Sequence, residues 1–215
     1  MYKIKKENLS TLFQMIAENQ ELYLPIRTGN QVNFGVWSEE ADVDLETLKT
    51  VKSPKDAFFP QSENLYTVKK EGKKLQVEPG ERKNQDFVIF GMKACDVQAV
   101  QVLDNVFLAE PVDTYYAARR ERGTIVSLAC HEPEESCFCK VFGIDCAEPA
   151  ADVAVWMVGE ELYWKALTEK GEALTKTVES LLAPADQADE ESVEAEKTAI
   201  RGIVEKSTAK HAPES

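Results

Sequence analysis

Phe87-Val88-Ile89-Phe90-Gly91 is a continuous apolar run closed by a glycine, and Gly123-Thr124-Ile125-Val126-Ser127-Leu128 repeats the pattern with β-branched residues. The first run does not alternate apolar with polar side chains and is predicted to be a strand covered on both faces, and the second, rich in β-branched residues, is predicted to be another strand. Between them Val97, Val100, Leu103, Val106 and Phe107 recur at helical spacing and stop before Pro111, and residues 113–122 form a further short helix-compatible stretch. Strand, helical crossover, strand is a βαβ unit, which requires parallel strands and a right-handed crossover.

Outward from this unit the pattern changes. Upstream, Leu9, Leu12, Phe13, Ile16 and Ala17 predict a short amphipathic helix over 8–19, with Asn8 as cap and Asn19 as stop. Residues 21–27 and 32–37 read as a hairpin about Thr28-Gly29-Asn30-Gln31. The stretch 39–64 is a polar loop pinned by Phe58 and Phe59, and 66–77 is a second, exposed hairpin whose lysines make a solvated turn. Downstream, Val153 to Val158 and Leu162 to Lys165 flank Gly159-Glu160-Glu161 as another hairpin. Ala183-Pro184-Ala185-Asp186-Gln187 breaks the chain before an acidic helix over 189–205, where Val193, Ile200, Ile203 and Val204 form a thin apolar stripe. That stripe can cover a partner's groove or lie on its own domain. The expected fold is therefore α/β: a small mixed sheet containing a βαβ unit, with flanking β-hairpins and a helical C-terminal arm. The division is an α/β domain at 1–182 and an arm at 183–215, frayed from 207.

Composition bounds the function. With 43% hydrophobic residues the chain can close a core, and its 215 residues exclude a long tandem array. Thirty-eight acidic against 25 basic residues, a formal net charge of −13, would repel nucleic acid and anionic lipid. No apolar run approaches the ~20 residues of a membrane span, and Met1-Tyr2-Lys3-Ile4-Lys5-Lys6-Glu7 has no apolar stretch behind its charges. A soluble cytoplasmic protein is expected, with neither nucleic acid nor membrane as a partner.

The five cysteines, at 95, 130, 137, 139 and 146, pose the chemical question. An odd number without a signal peptide argues for reduced thiols that are inert, metal-bound or redox-active. Cys95 and Cys130 each follow the carboxyl end of a predicted parallel strand, which sends both to the sheet edge where open α/β sheets place ligands. The loop His131-Glu132-Pro133-Glu134-Glu135-Ser136 is short enough to return Cys137 and Cys139 over that edge. In extended backbone a C-x-C pair points to one face with Cα atoms about 6.7 Å apart. One zinc, with Zn–S near 2.3 Å, needs a tighter set, whereas the irons of a cubane accept the wider bite. The helix start at Asp96 favours an anionic group. A structural zinc on Cys130, Cys137, Cys139 and Cys146 is the rival, and buried inert thiols the plainer alternative. A dithiol switch fits poorly, since C-x-x-C is absent and no basic cluster lies beside the thiols. His131 reads as a solvated loop residue, and Arg119, Arg120 and Arg122 as a solvated helix face.

Three segments together carry a family resemblance: 91–108 with Gly91-Met92-Lys93-Ala94-Cys95-Asp96, then Asp113-Thr114-Tyr115-Tyr116-Ala117-Ala118-Arg119-Arg120, then Cys130-His131-Glu132-Pro133 to Cys137-Phe138-Cys139. They resemble the amino-terminal region of the iron-sulfur beta subunits of sulfhydrogenases, and are similar also to an iron-sulfur subunit of anaerobic sulfite reductase. The resemblance implies one [4Fe-4S] cluster on Cys95, Cys130, Cys137 and Cys139. It also implies an electron-transfer role in anaerobic metabolism, between a flavin subunit handling NAD(P)H and a catalytic hydrogenase or sulfite reductase subunit. Members of that family usually continue into a ferredoxin-like domain. This chain lacks those cysteine runs, so a ferredoxin-type partner, on the missing part of the chain or on a separate one, is expected. Cys146 has no counterpart in the resemblance.

Overall fold

The computed structural model describes residues 1–80, 85–134 and 136–211, the last five by their backbone. In chain order it forms Tyr2–Lys5 (β1), Leu9–Ala17 (α1), Glu21–Thr28 (β2), Gln31–Val36 (β3), Tyr66–Glu71 (β4), Lys74–Pro79 (β5) and Phe87–Met92 (β6). There follow Ala94–Phe107 (α2), Thr114–Arg122 (α3), Gly123–Leu128 (β7), Val153–Val158 (β8), Glu161–Ala166 (β9), Glu169–Val178 (α4), Ala183–Pro184 (β10) and Gln187–His211 (α5). Eight strands make one mixed sheet in the order β10-β1-β9-β8-β7-β6-β2-β3. Its middle, β2-β6-β7-β8, is parallel and its margins are antiparallel.

The two runs that suggested the fold lie side by side at its centre, with Phe87 opposite Gly123 and Ile89 opposite Ile125. Every residue of both strands is buried. Covering layers explain why: Leu12, Phe13 and Ile16 of α1 and Leu174 and Val178 of α4 pack on Val88, Phe90, Val126 and Leu128. On the opposite face Val97, Val100 and Tyr116, with Phe58 from the long loop, cover Phe87, Ile89 and Ile125. Side chains alternate between the two faces, and helices meet both, so both sets are mainly apolar. Phe59 stacks on Phe107 with ring centroids 4.7 Å apart, so both aromatics pin the long loop as expected. Asp113 caps α3 by accepting from the backbone N–H groups of Tyr115 and Tyr116, at 2.9 Å each.

Near its carboxyl end β6 departs from register. Gly91 adopts φ +94°, and a Cβ there would lie 3.2 Å from Leu45 and 3.3 Å from Pro25. Glycine alone suits this turn. The Ser127 hydroxyl donates to the Met92 carbonyl at 2.7 Å, holding the irregular end against β7. The chain thereby enters α2 at a fixed place over the sheet edge.

Several elements depart from the sequence reading. Tyr2–Lys5 is a strand although it reads as a charged terminus, because backbone pairing with β9 on one side and the two-residue β10 on the other, with one buried side chain, Ile4, suffices to hold it near the sheet margin. Glu169–Val178 is an additional helix, fastened by the Trp164 Nε1 donation to Thr175 Oγ1 at 2.8 Å. The Asn8 side chain makes no cap hydrogen bond. The largest difference concerns α5. Val193, Ile200 and Val204 are buried against this chain's own body, and among the stripe residues Ile203 alone stays well exposed. The stripe therefore is not a free face for a partner's groove. The backbone is helical to His211, and the expectation of a frayed end otherwise lies outside the described residues. Arg119, Arg120 and Arg122 are not merely solvated: Arg119 donates to the Phe58 carbonyl at 2.7 Å, Arg120 pairs with Asp104 at 3.0 Å and Arg122 with Asp86 at 3.2 Å. Among the described residues no helix is long and apolar enough to cross a membrane.

Candidate thiol site at the end of the parallel strands

Cys95 is the second residue of α2, just past β6, and Cys130 lies two residues past the end of β7. The βαβ unit thus delivers both to one sheet edge. Cys130 N–H donates to the Cys146 carbonyl at 3.0 Å, which closes the intervening segment as a loop. Within it Cys137 N–H donates to the Glu134 carbonyl at 2.9 Å, and Cys139 opens a single tight turn, Cys139–Phe142, that ends at left-handed Gly143. Phe138, between the two cysteines, has ψ 34°. The C-x-C pair is therefore bent, not extended, and the wide bite expected of an extended pair does not apply.

The structure brings the distant thiols together. Cys130 and Cys146 are buried, Cys137 and Cys139 are half-buried, and Cys130, Cys146 and Cys139 pack in one cluster with Ala94 and Ala147. Cys95 is exposed by surface area, yet enough protein surrounds its sulfur to push the thiol up to about 11, with Asp96, Cys139 and Cys130 adding to that rise. Burial also raises Cys137. The nearby Cys146 thiol lowers Cys139 to about 7 and lowers Cys130 against its burial. Cys146, beside the sulfurs of Cys130 and Cys139, is raised.

Two lysines beside the thiols went unnoticed in the sequence. Lys49, from the long loop, binds Glu134 at 2.6 Å and Ser136 at 2.7 Å and lies close to Cys137 and Cys95; its pKa is raised through Glu134. Lys93, the residue before α2, is buried beside Cys130 and Cys95, and burial lowers its pKa. The expectation that no basic cluster lies beside the thiols is thus corrected: two lysines from separate segments stand there. Lys93 stands two residues before Cys95, the signal that could have found it, whereas nothing in the sequence ties Lys49 to the cysteine loop.

α5 closes the site from above. Ile200 and Val204 pack with Cys130, Cys146, Ala94 and Ala147. Around that contact Arg201 pairs with Asp145 at 2.7 Å, Lys140 with Glu205 at 3.1 Å, and exposed His131 meets Glu196 at 2.7 Å. Beside it, Lys93, Cys130, Leu45, Trp156 and Ile200 line a cleft of about 780 Å³. Phe138, Val141 and Phe142 face outward, 56–67% exposed, directly beside Cys137 and Cys139.

As the side chains stand, no three His, Cys, Asp or Glu among the described residues converge as a group that could hold one metal ion. The donor chemistry nevertheless suits a thiolate-bound group: the soft sulfur donors, Lys49, Lys93 and the start of α2 lie along the same sheet edge, near enough to influence one another.

No family model matches the chain. It is similar to the sulfhydrogenase 2 subunit beta of Pyrococcus furiosus, 29% identical over 175 residues that cover 76% of this chain and 51% of that protein. The chain spans about half the length of the curated relative it matches.

Proposed function

We propose that this chain, related to a sulfhydrogenase beta subunit, is an electron-transfer module of a multi-subunit oxidoreductase, with one [4Fe-4S] cluster on Cys95, Cys130, Cys137 and Cys139. The observation that supports this best is the approach of Cys95, carried by α2, to the cysteine loop that follows β7. A cluster on these thiols supplies one-electron carriage at a potential set by its surroundings. The protein's own part is to fix the thiols on two strand ends, exclude water with Ile200 and Val204, and present Phe138, Val141 and Phe142 as the face nearest the site. In this reading the body, 1–182, carries the thiols and the arm, 183–215, closes over them. Electrons pass in the cytoplasm between a flavin subunit handling NAD(P)H and a catalytic subunit of hydrogenase or sulfite reductase type, with a ferredoxin-type partner in the chain of carriers.

One observation favours a second reading, a structural zinc on Cys130, Cys137, Cys139 and Cys146. Cys146, which the family resemblance leaves out, packs in one cluster with Cys130 and Cys139, so a set of four thiols within the loop is available to a tetrahedral ion if the side chains close on it. A non-catalytic assembly module would follow. Iron, sulfide and zinc analysis with visible spectra of anaerobically purified protein separates the two. The cluster reading expects iron and sulfide together, loss of both in Cys95→Ser, and retention in Cys146→Ser. Zinc that survives Cys95→Ser and is lost in Cys146→Ser would replace the cluster by the zinc site.

A further inference from the structure

Lys93 is the one lysine whose surroundings stay unexplained by the fold alone. Its side chain is 9% exposed, and among the described residues no hydrogen bond or ion pair reaches its Nζ. The carboxylates nearby are already engaged, Asp44 by Arg27 and Thr47 and Asp96 by Ser53. The groups that favour its charge are Cys130 and Cys95 first and Asp44 after them. Lys93 lines the cleft with Cys130 and precedes Cys95 by two residues at the start of a 14-residue helix. The free N–H groups of that helix start direct partial positive charge to the same place.

We propose that Lys93 is the positioning charge that sets the reduction potential of the thiol-bound cluster. The inference rests on the cluster reading above and goes beyond it by naming the residue that tunes the site. Each electron accepted adds one negative charge to the thiolate-held group, so a fixed cation beside it favours the reduced form and raises the potential. Lys49 is also near, but its side chain is 52% exposed and paired with Glu134, so solvent and the carboxylate cancel most of its field. Lys93 is far less exposed and carries no such partner, so its field is screened less than that of Lys49.

The test uses the full chain, purified without oxygen, with dithionite as reductant and dye mediators, comparing wild type with Lys93→Met, Lys93→Gln and Lys93→Arg. Iron and sulfide content is measured first, then the midpoint potential by visible and paramagnetic resonance spectra. The expected result is unchanged iron content, a more negative potential in Lys93→Gln and Lys93→Met, and a potential near wild type in Lys93→Arg. Equal potentials in all loaded variants, or a shift in Lys93→Arg as large as in Lys93→Gln, would overturn the proposal, since charge would then play no part. If methionine prevents loading, the glutamine and arginine variants decide the matter alone. Absence of iron and sulfide from the wild type would instead remove the cluster reading and this inference with it.

Discussion

β6 and β7 are buried at every residue, whereas the cysteine loop that follows directly leaves Phe138, Val141 and Phe142 largely exposed and fastens itself with side-chain contacts. The first region is held by apolar area on two faces and a regular ladder, which is non-directional and redundant. The second is held by a few specific bonds, among them Cys130 to Cys146 along the backbone, Lys49 to Glu134, and Arg201 to Asp145. The difference separates two tasks. The strands place Cys95 and Cys130 with little freedom, and the loop brings the remaining thiols to them in a form that can adjust to a bound group.

The sharpest way to break this contrast is to damage the strand side. Phe90 is fully buried and meets Phe13 edge-on, centroids 5.3 Å apart. Phe90→Ala should cost about 3–5 kcal/mol of stability, read by denaturant unfolding. A loss under about 1 kcal/mol would mean that the sheet centre can collapse around the gap and is not the rigid half.

Ile200 joins the two regions, since it lies on α5 and packs against Cys130 and Cys146. Ile200→Ala should weaken closure of α5 by about 2–5 kcal/mol. In metal-free protein, labelling of the buried Cys130 and Cys146 thiols should then accelerate by at least about tenfold, because opening becomes more frequent. Unchanged labelling would show that the thiols open without α5.

The start of α5 has its own pH dependence. Asp189 accepts from Lys3 Nζ at 2.6 Å, from Asp186 N–H at 2.9 Å and from the Tyr163 hydroxyl at 2.9 Å. The Lys3 bond foremost holds its carboxyl down at about 2, below the roughly 3.9 of an unfolded chain. A depressed acid stabilises the fold at pH above its unfolded value, and that contribution disappears as the pH falls from about 4 to about 2. Acid titration of helix content should therefore show a decline in this window that Asp189→Asn lacks. Identical profiles would remove Asp189 as the anchor. At the small end of the scale, Val141→Ser on the exposed loop should change stability by no more than about 0.5 kcal/mol. A larger loss would mean that the loop is as tightly packed as the strands.

The hairpins show the limit of local signals. Residues 66–77 and 153–165 both read as hairpins and both are hairpins, but β8 and β9 are joined to the main sheet while β4 and β5 stand apart from it with almost every residue exposed. Turn chemistry and alternation specify pairing between neighbours in the chain; they do not say what lies against the paired faces.

By itself the sequence determined the central βαβ unit, since uninterrupted apolar runs and a helical repeat are physical demands of burial on two faces and one. From that unit alone it followed that Cys95 and Cys130 share a sheet edge. Tertiary structure decided the rest of the site: the contact of Cys146 with two other thiols, the placing of Lys49 and Lys93 beside them, and the return of α5 as a cover. Each of these depends on loops and segments far apart in the chain meeting in space. Periodicity carries no record of such meetings, because their free energy comes from burial and pairing that exist only once the chain has closed.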